Sequence, residues 1–577
     1  MNPIRRPLIA TLASIALATL ALQGCGGDDE ETLPQLSPAN AGTLTSCADL
    51  ITRASFANTT ITAANAIAAG TLTVAGTPVA AHCQLRGSMY PRISAVDGKS
   101  YAIGFEMRLP NSWNGRFFYQ ANGGIDGIDG SIGTAAGGIG GGGPLDNALN
   151  KGFAVISSDA GHVGSLGPSF GIDPQARLDY GYQAVAKLTP MAKAVIQTAY
   201  GRAPDRSYFA GCSNGGRHTM VAASRSADQY DGFLVGNPGF QLPKAAIANI
   251  AGAQAYAALA STPGDISTGF TAAERALVSN AVLSKCDALD GSADGLVQDT
   301  TACQAAFDLN RDVPTCSGAR DGSCISAAQK TSIAKLFSGA TTSAGAKIYA
   351  SFPYDAGLGT AGWAVWKYNN SLNLDSGAVA YIWQVPPTTD PLATFNGPNF
   401  SLTGNVDTML SGVNATNATY TEAALSFMTP PNPSNLSVLK NRGAKMMLYH
   451  GTSDPIFSSD DTTAWYEALR AANGGDASTF ARFFRVPGMN HCAGGPATDQ
   501  FDMLTPLVAW VERGEAPGSV RASVRGTGNA GGVNTDLPAT WTATRSRPLC
   551  PYPRSRATRA VAASNLWKTS SAADDAT

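Results

Sequence analysis

Gly211-Cys212-Ser213-Asn214-Gly215 sets a serine two residues from a glycine on either side. A short apolar run, Ser207-Tyr208-Phe209-Ala210, precedes it, and a stretch of helical composition from Gly216 to Ala223 follows. This is G-x-S-x-G in a strand–turn–helix context, the arrangement that exposes a nucleophilic serine. On so sharp a turn the serine backbone is strained, and the flanking glycines let neighbouring elements pass close to it. The helix N-terminus then presents its positive dipole where an oxyanion would form. Such a serine needs a base, and the base needs an acid, in the order Ser…Asp…His with each at the end of a strand. Asp454, in Gly451-Thr452-Ser453-Asp454-Pro455, and His491, in Pro487-Gly488-Met489-Asn490-His491-Cys492, both follow strand-like runs in that order. A turn aspartate and a loop histidine are the plainer readings. The remaining histidines, His82, His162, His218 and His450, end no strand at the right place and read as structural or incidental. Ser213, His491 and Asp454 are therefore the expected catalytic triad, and acyl transfer the expected chemistry.

Three further features bear on that chemistry. Gln120-Ala121-Asn122-Gly123-Gly124 follows a strand and suits either a glycine-rich oxyanion loop or a plain tight turn. Cys212 precedes the serine and Cys492 follows the histidine, so a hydrogen-bonded Ser213–His491 pair would bring the two thiols toward disulfide distance. Two buried thiols are the alternative. The stretch Cys286-Asp287-Ala288-Leu289-Asp290-Gly291-Ser292-Ala293-Asp294-Gly295-Leu296 offers carboxylates and free carbonyls to a hard cation, most simply Ca²⁺. It is not an EF-hand, and a solvated acidic turn is the alternative; Cys286 and Cys303 flank it and would staple it.

The elements that must position these groups alternate. Strands are expected at Tyr101–Leu109, Arg116–Gln120 and Phe153–Ser157, a helix from Ala184 to Tyr200, and strands again at Ala444–His450 and Arg482–Val486 before a helix from Phe501 to Arg513. That pattern indicates an α/β fold with a largely parallel sheet. From about 240 to 439 the alternation fades into helical stretches (Ala272 to Leu283, Ala327 to Phe337), tryptophans and polar segments, which read as an inserted lid. The organisation expected is a signal segment over 1–25, a flexible tether over 26–46, a first catalytic part over 47–239, the lid over 240–439, a second catalytic part over 440–560 and a disordered tail over 561–577. The glycine run from Gly137 to Gly143 reads as a mobile loop.

Composition narrows the function classes. Lys and Arg total 40 against 42 Asp and Glu, with no basic run, so nothing points to nucleic acid. Arg5 and Arg6 precede an apolar segment from Leu8 to Leu22, too short to span a bilayer comfortably and ordered like an export signal. Its Leu22-Gln23-Gly24-Cys25 ending resembles a bacterial lipobox with Cys25 as the lipidated residue; a plain signal peptide is the alternative. Either way the protein is exported, as an anchored outer-membrane lipoprotein or free in the periplasm or medium, and its ten cysteines suit an oxidising compartment. With Cys25 set aside nine remain, so one lacks a partner. A monomer is expected.

Gly211-Cys212-Ser213-x-Gly-Gly, the aspartate-rich loop and Pro487-Gly488-Met489-Asn490-His491-Cys492 together resemble the tannase/feruloyl esterase family. Asn114-Gly115-Arg116-Phe117-Phe118, Asp173-Pro174-Gln175-Ala176-Arg177-Leu178-Asp179 and Phe501-Asp502-Met503-Leu504-Thr505-Pro506 extend the likeness over nearly the whole mature chain. The resemblance implies an α/β-hydrolase fold with a large inserted lid domain, and Ser213, Asp454 and His491 catalysis of aromatic acid esters. It implies an oxyanion hole from the Gly124 and Asn214 N–H groups. It also implies a structural calcium held by Asp287, Asp290 and Asp294 with carbonyls of Ser292 and Leu296. The implied disulfides are Cys47–Cys83, Cys212–Cys492, Cys286–Cys303 and Cys316–Cys324; a further family bridge would use Cys550, but no downstream partner exists here. Phe457, Trp363, Trp366, Tyr381 and Trp383 are candidates for stacking on a substrate ring, or else for the lid core. The family also includes a hydrolase of mono(2-hydroxyethyl) terephthalate, which holds the free carboxylate with a lid arginine. Between Lys347 and Leu439 this chain has no arginine and only Lys367 besides, which favours feruloyl- or galloyl-type esters over a terephthalate monoester. Rival readings are an inactive surface-binding lipoprotein and a peptidase with the same triad.

Overall fold

The computed structural model describes residues 33–127, 134–138, 147–529 and 532–553. The expected signal segment with Cys25, the start of the tether, most of the Gly137–Gly143 loop and the 561–577 tail lie outside the described residues.

Nine strands form the central sheet: β1 Thr59–Ile67, β2 His82–Ile93, β3 Ser100–Pro110, β4 Arg116–Ala121, β5 Ala154–Ser158, β6 Arg206–Cys212, β7 Gly232–Gly236, β8 Lys445–Gly451 and β9 Ala481–Val486. Their spatial order is β1-β2-β3-β5-β4-β6-β7-β8-β9. From β5 to β9 every pairing is parallel, whereas β1–β2, β2–β3 and β3–β5 are antiparallel. The expected parallel sheet thus carries an antiparallel extension, in which β1, β2 and β3 follow one another with no helix between them to cross over.

The strands beside the site are buried on both faces, which explains their continuous apolar runs. Along β4 and β6, Tyr119 and Phe209 face one core while Phe118 and Tyr208 face the other. The register pairs Tyr119 with Phe209, and their rings stack at 4.5 Å. Helix α1, Ala184–Tyr200, turns Leu188, Met191, Ala192, Val195 and Ile196 onto the first core and stops at Gly201, whose φ of 76° suits a glycine C-cap. Helix α2, Asn214–Arg225, begins directly after the serine turn and is buried along most of its length.

β7 and β8 pair directly, yet the chain between them runs through helices: α3 Leu242–Leu259, α4 Ala272–Cys286, α5 Ala327–Phe337 and a helical run over 361–383 with wide turns at Val365–Asn370 and Ala378–Trp383. The described residues of this segment add no strand to the sheet. After β9 the expected helix is shorter than its sequence suggests, α6 Leu504–Arg513, because Gln500–Phe501 instead joins Val520–Ser523 and Ser546–Leu549 in a small antiparallel sheet.

Candidate active site

The serine turn is shaped by contacts that tolerate only glycine. A Cβ on Gly211 would stand 2.6 Å from the Gly215 carbonyl carbon, one on Gly215 would stand 2.4 Å from the Ala121 oxygen, and one on Gly216 2.3 Å from the Gly236 oxygen. Strand β6, helix α2 and the ends of β4 and β7 are therefore packed backbone to backbone around Ser213. The serine itself has φ 67° and ψ −128°, a conformation that costs free energy in any non-glycine residue and is held by this packing.

His491 Nε2 lies 2.8 Å from Ser213 Oγ, and His491 Nδ1 lies 2.8 Å from Asp454 Oδ2. An ionised carboxylate only accepts, so Nδ1 carries the imidazole proton and Nε2 is left to accept from the serine. Asp454 is fully enclosed. Burial would raise its carboxyl, but the His491 and His450 imidazoles outweigh it and hold the group well below the usual carboxylate range. Its Oδ1 accepts from the Ile456 and Phe457 N–H groups at 2.9 and 3.0 Å, and Oδ2 accepts from Asn237 Nδ2 at 2.7 Å. His450 Nε2 stands 3.3 Å from Oδ2. Asn237 and His450 are thus partners of the acid that sequence reasoning did not assign. A signal was present: Asn237 follows the end of β7, and His450 lies four residues before Asp454 at the end of β8.

The glycine loop after β4 covers the serine. A Cβ on Gly123 would come 3.7 Å from Ser213 Cβ, and Gly124 has φ 61° with nothing near its missing side chain. Asn122 anchors the loop by donating to Ser157 Oγ and the Ser158 carbonyl at 2.9 and 2.8 Å. Across from it, Asn214 is the first residue of α2, where N–H groups have no partner within the helix. This juxtaposition suits a pair of oxyanion donors from Gly124 and Asn214.

The aromatic candidates separate into two groups. Trp366, half-buried, and Phe457 both meet the His491 imidazole edge-on, with centroids 4.8 and 5.3 Å away. Trp363, Tyr381 and Trp383 are not beside the histidine. Trp363 packs against Tyr368 in the lid and lines a small cavity with Lys367 and Asp454. Tyr381 and Trp383 are enclosed in another lid core, Tyr381 donating its hydroxyl to the Asp390 carbonyl at 2.7 Å. Lys367 donates to Asn249 Oδ1 at 3.2 Å and sits 4.0 Å above the Phe352 ring. Burial draws its ammonium down to about 8.

All four implied disulfides are formed: Cys47–Cys83, Cys212–Cys492, Cys286–Cys303 and Cys316–Cys324. Cys212–Cys492 joins the residues next to the nucleophile and the base across 280 positions of sequence. Cys550 belongs to none of the four.

The acidic loop closes on itself beside Cys286–Cys303. Asp287 Oδ1 accepts from the Asp294 and Gly295 N–H groups at 2.8 and 2.9 Å, and Asp290 Oδ1 accepts from Ser292 at 2.9 Å. Arg547 Nε donates to Asp294 Oδ2 at 3.0 Å. Among the described residues no group of three or more acidic, histidine or cysteine side chains stands as a ready cage for a metal. The donor set, three carboxylates and the backbone carbonyls of one loop, is nonetheless of the type a hard cation takes.

The chain is similar to known proteins over most of its length. Residues 83–572 match the family described as tannase and feruloyl esterase. The chain is 41% identical over 510 residues to the mono(2-hydroxyethyl) terephthalate hydrolase of Piscinibacter sakaiensis, covering 82% of this chain and 81% of that one. It is 27% identical over 445 residues to a probable feruloyl esterase B-1 of Neosartorya fischeri, covering 72% and 75%. Among solved structures, feruloyl esterase B from Aspergillus oryzae superposes with a TM-score of 0.67 at 22% identity, covering 88% of this chain and 95% of that one, a likeness of fold.

Proposed function

The chain belongs to the tannase and feruloyl esterase family, and from that footing we propose that it is an exported carboxylic ester hydrolase for esters of hydroxycinnamic- or gallic-type aromatic acids. The observation that carries this is the Ser213–His491–Asp454 relay, with both contacts at 2.8 Å, bracketed by the rings of Trp366 and Phe457. Ser213 Oγ gives its proton to His491 Nε2 and attacks the ester carbonyl. Asp454 holds the imidazole in orientation and stabilises its charged form. The oxyanion accepts from the Gly124 and Asn214 N–H groups, a contribution typically of about 3 kcal/mol per donor. His491 then protonates the departing alcohol, and water cleaves the acyl-enzyme along the reverse proton path.

A second reading is hydrolysis of mono(2-hydroxyethyl) terephthalate, favoured by the 41% identity to an enzyme of that name. Against it stands the lid. A free carboxylate in a desolvated pocket needs a cation or several donors. The segment from Lys347 to Leu439 offers no arginine, and its one further lysine, Lys367, already donates to Asn249. Initial rates of the purified mature protein on methyl ferulate, methyl gallate and mono(2-hydroxyethyl) terephthalate, with Ser213→Ala as the blank, separate the two. Preference for a phenolic ester is expected; preference for the terephthalate monoester would sink the phenolic reading.

Calcium and the anchor belong to the same proposal. Asp287, Asp290 and Asp294, with the Ser292 and Leu296 carbonyls, would hold a structural Ca²⁺ that braces the lid and takes no part in the reaction; the donor chemistry of the loop supports this. Cys25 would carry a lipid that tethers the enzyme to the outer membrane, a reading supported by the Leu22-Gln23-Gly24-Cys25 ending. The four disulfides support an oxidising compartment.

A further inference from the structure

Asp126 lies just past the glycine loop and has no part in the triad, yet its carboxylate reaches the other side of the oxyanion hole. Its N–H donates to the Gly123 carbonyl at 3.2 Å, closing a tight turn over 123–126 that contains Gly124. Its Oδ1 accepts from Asn214 Nδ2 at 2.5 Å, and its Oδ2 lies 3.2 Å from His218 Nε2. Asn214 is held from the opposite side as well, because Arg217 Nε donates to Asn214 Oδ1 at 2.8 Å. Arg217 is itself fixed by donating to the Gly181 and Tyr180 carbonyls at 2.6 and 3.1 Å. The Asn214 amide is therefore clamped between a buried cation and a buried anion. The side chains of Asp126, Asn214 and Arg217 are all buried, and Asp126 has φ 49°, an unfavoured backbone state for aspartate.

We infer that Asp126 is a positioning residue that sets the separation and aim of the two oxyanion donors, the Gly124 N–H on its own turn and the Asn214 N–H through the side chain it holds. The two donors come from different elements, the loop after β4 and the first turn of α2. The Asp126 carboxylate links those two elements through Asn214 Nδ2 and His218 Nε2, and the Asn214 contact is the one at the donor-bearing residue. Small errors in donor placement act on the transition state far more than on the bound ester, so the clamp belongs to kcat. This inference rests on the esterase reading above and deepens it.

The test uses the full mature chain with Asp126→Ala, Asp126→Asn and the reciprocal Asp126→Asn/Asn214→Asp. The Asp126→Asn side chain would keep an oxygen to accept from Asn214, and the reciprocal pair exchanges donor and acceptor, whereas alanine leaves neither. Asp126→Ala is expected to lower kcat on the best aromatic ester by on the order of 10- to 100-fold with KM within about twofold. Asp126→Asn and the reciprocal pair are expected to recover most of that loss. Active-site titration with a fluorophosphonate normalises every rate to folded enzyme, and the same reagent reports the hole directly, since its phosphoryl oxygen gains charge in the transition state of labelling. Its rate of labelling Ser213 should fall in Asp126→Ala in parallel with kcat. An unchanged kcat per titrated site, a loss carried by KM, or equal losses in all three variants would overturn the clamp. A wild type that is labelled by the phosphonate but inert to every aromatic ester would overturn the substrate class alone, and the labelling rates would still decide the clamp.

Discussion

Asp159 shows what burial does to a carboxyl beside the loop of glycines. It follows β5, its carbonyl accepts from Gly127, and its Oδ1 accepts from the Gly104 and Gly161 N–H groups at 2.9 and 2.8 Å. Burial, with the nearby Asp126 and Asp179 charges adding to it, pushes the carboxyl up to about 8 against those two hydrogen bonds. The unfolded chain would titrate at about 4. Between about 4 and 8 the native state holds a proton that the unfolded state has lost, so this group withdraws stability as pH rises through that window. Asp159→Asn keeps an oxygen for both N–H groups and removes the titration. Its melting temperature is expected to match the wild type at about pH 4 and to exceed it at about pH 8; parallel profiles across that range would contradict the assignment. Asp454 has the opposite sign: its depressed carboxyl contributes stability above the unfolded value that is lost as pH falls through the folded one. At this scale the sequence is most legible where chemistry imposes spacing. Ser213, Asp454 and His491 each stand at a strand end in a fixed order. Asn237 and His450 also stand at strand ends, but that they hold Asp454 is not legible, nor is the role of Asp126, because these residues act through neighbours that only the folded chain supplies.

Among the elements, those with strong periodicity are legible almost to the residue. Helix α1 runs from Ala184 to Tyr200 as expected, and α5 from Ala327 to Phe337. Strand β1 gives no such signal, being built largely from Thr, Ala and Asn, and β2 gives only a weak one, alternating Cys83, Leu85, Gly87 and Met89 with Gln84, Arg86 and Ser88. The polar face of β2 is reconciled with burial by Glu106 on β3, which accepts from Gln84 at 2.8 Å, from Arg86 at 3.0 Å and from Arg108 at 2.8 Å. A buried carboxylate so surrounded makes polar strands compatible with a core, and no local pattern announces it. The loop of Asp287, Asp290 and Asp294 presents a prediction at the same scale. If it holds Ca²⁺, chelation should lower the melting temperature, calcium should restore it, and Asp290→Asn should abolish the difference. Esterase rates per folded molecule should stay unchanged, since the reaction uses none of the loop's atoms. A melting temperature indifferent to chelator would remove calcium from this protein.

At the scale of the whole molecule, the lid and the catalytic sheet are bound by more than contact. Arg177, just before α1, is fully buried, stacks 4.2 Å from the Tyr420 ring and donates to the Tyr381 and Gln384 carbonyls at 3.1 and 2.9 Å. Nη2 donates to both lid carbonyls while Nε donates to the Gly171 carbonyl at 2.5 Å, so one planar guanidinium spans the two parts. The presence of an insertion is readable from the fading alternation after residue 240; its ties, such as Arg177 to Tyr381, Thr452 to Asp355 and Ser351 to Asp460, are not, because they join residues far apart in sequence. The Cys212–Cys492 bridge has a consequence for the chain once it is cut. The segment 414–419 is largely exposed near the end of the lid. A protease site engineered there would sever the chain between nucleophile and base, yet the two pieces would still be joined beside the reacting atoms. The nicked protein should migrate as one species without reductant, as two with it, and should retain hydrolysis until a thiol is added. Loss of activity on cleavage alone would show that the lid, and not the bridge, keeps the base in place. With the bridge intact, an attacked chain becomes a two-chain enzyme instead of a dead one.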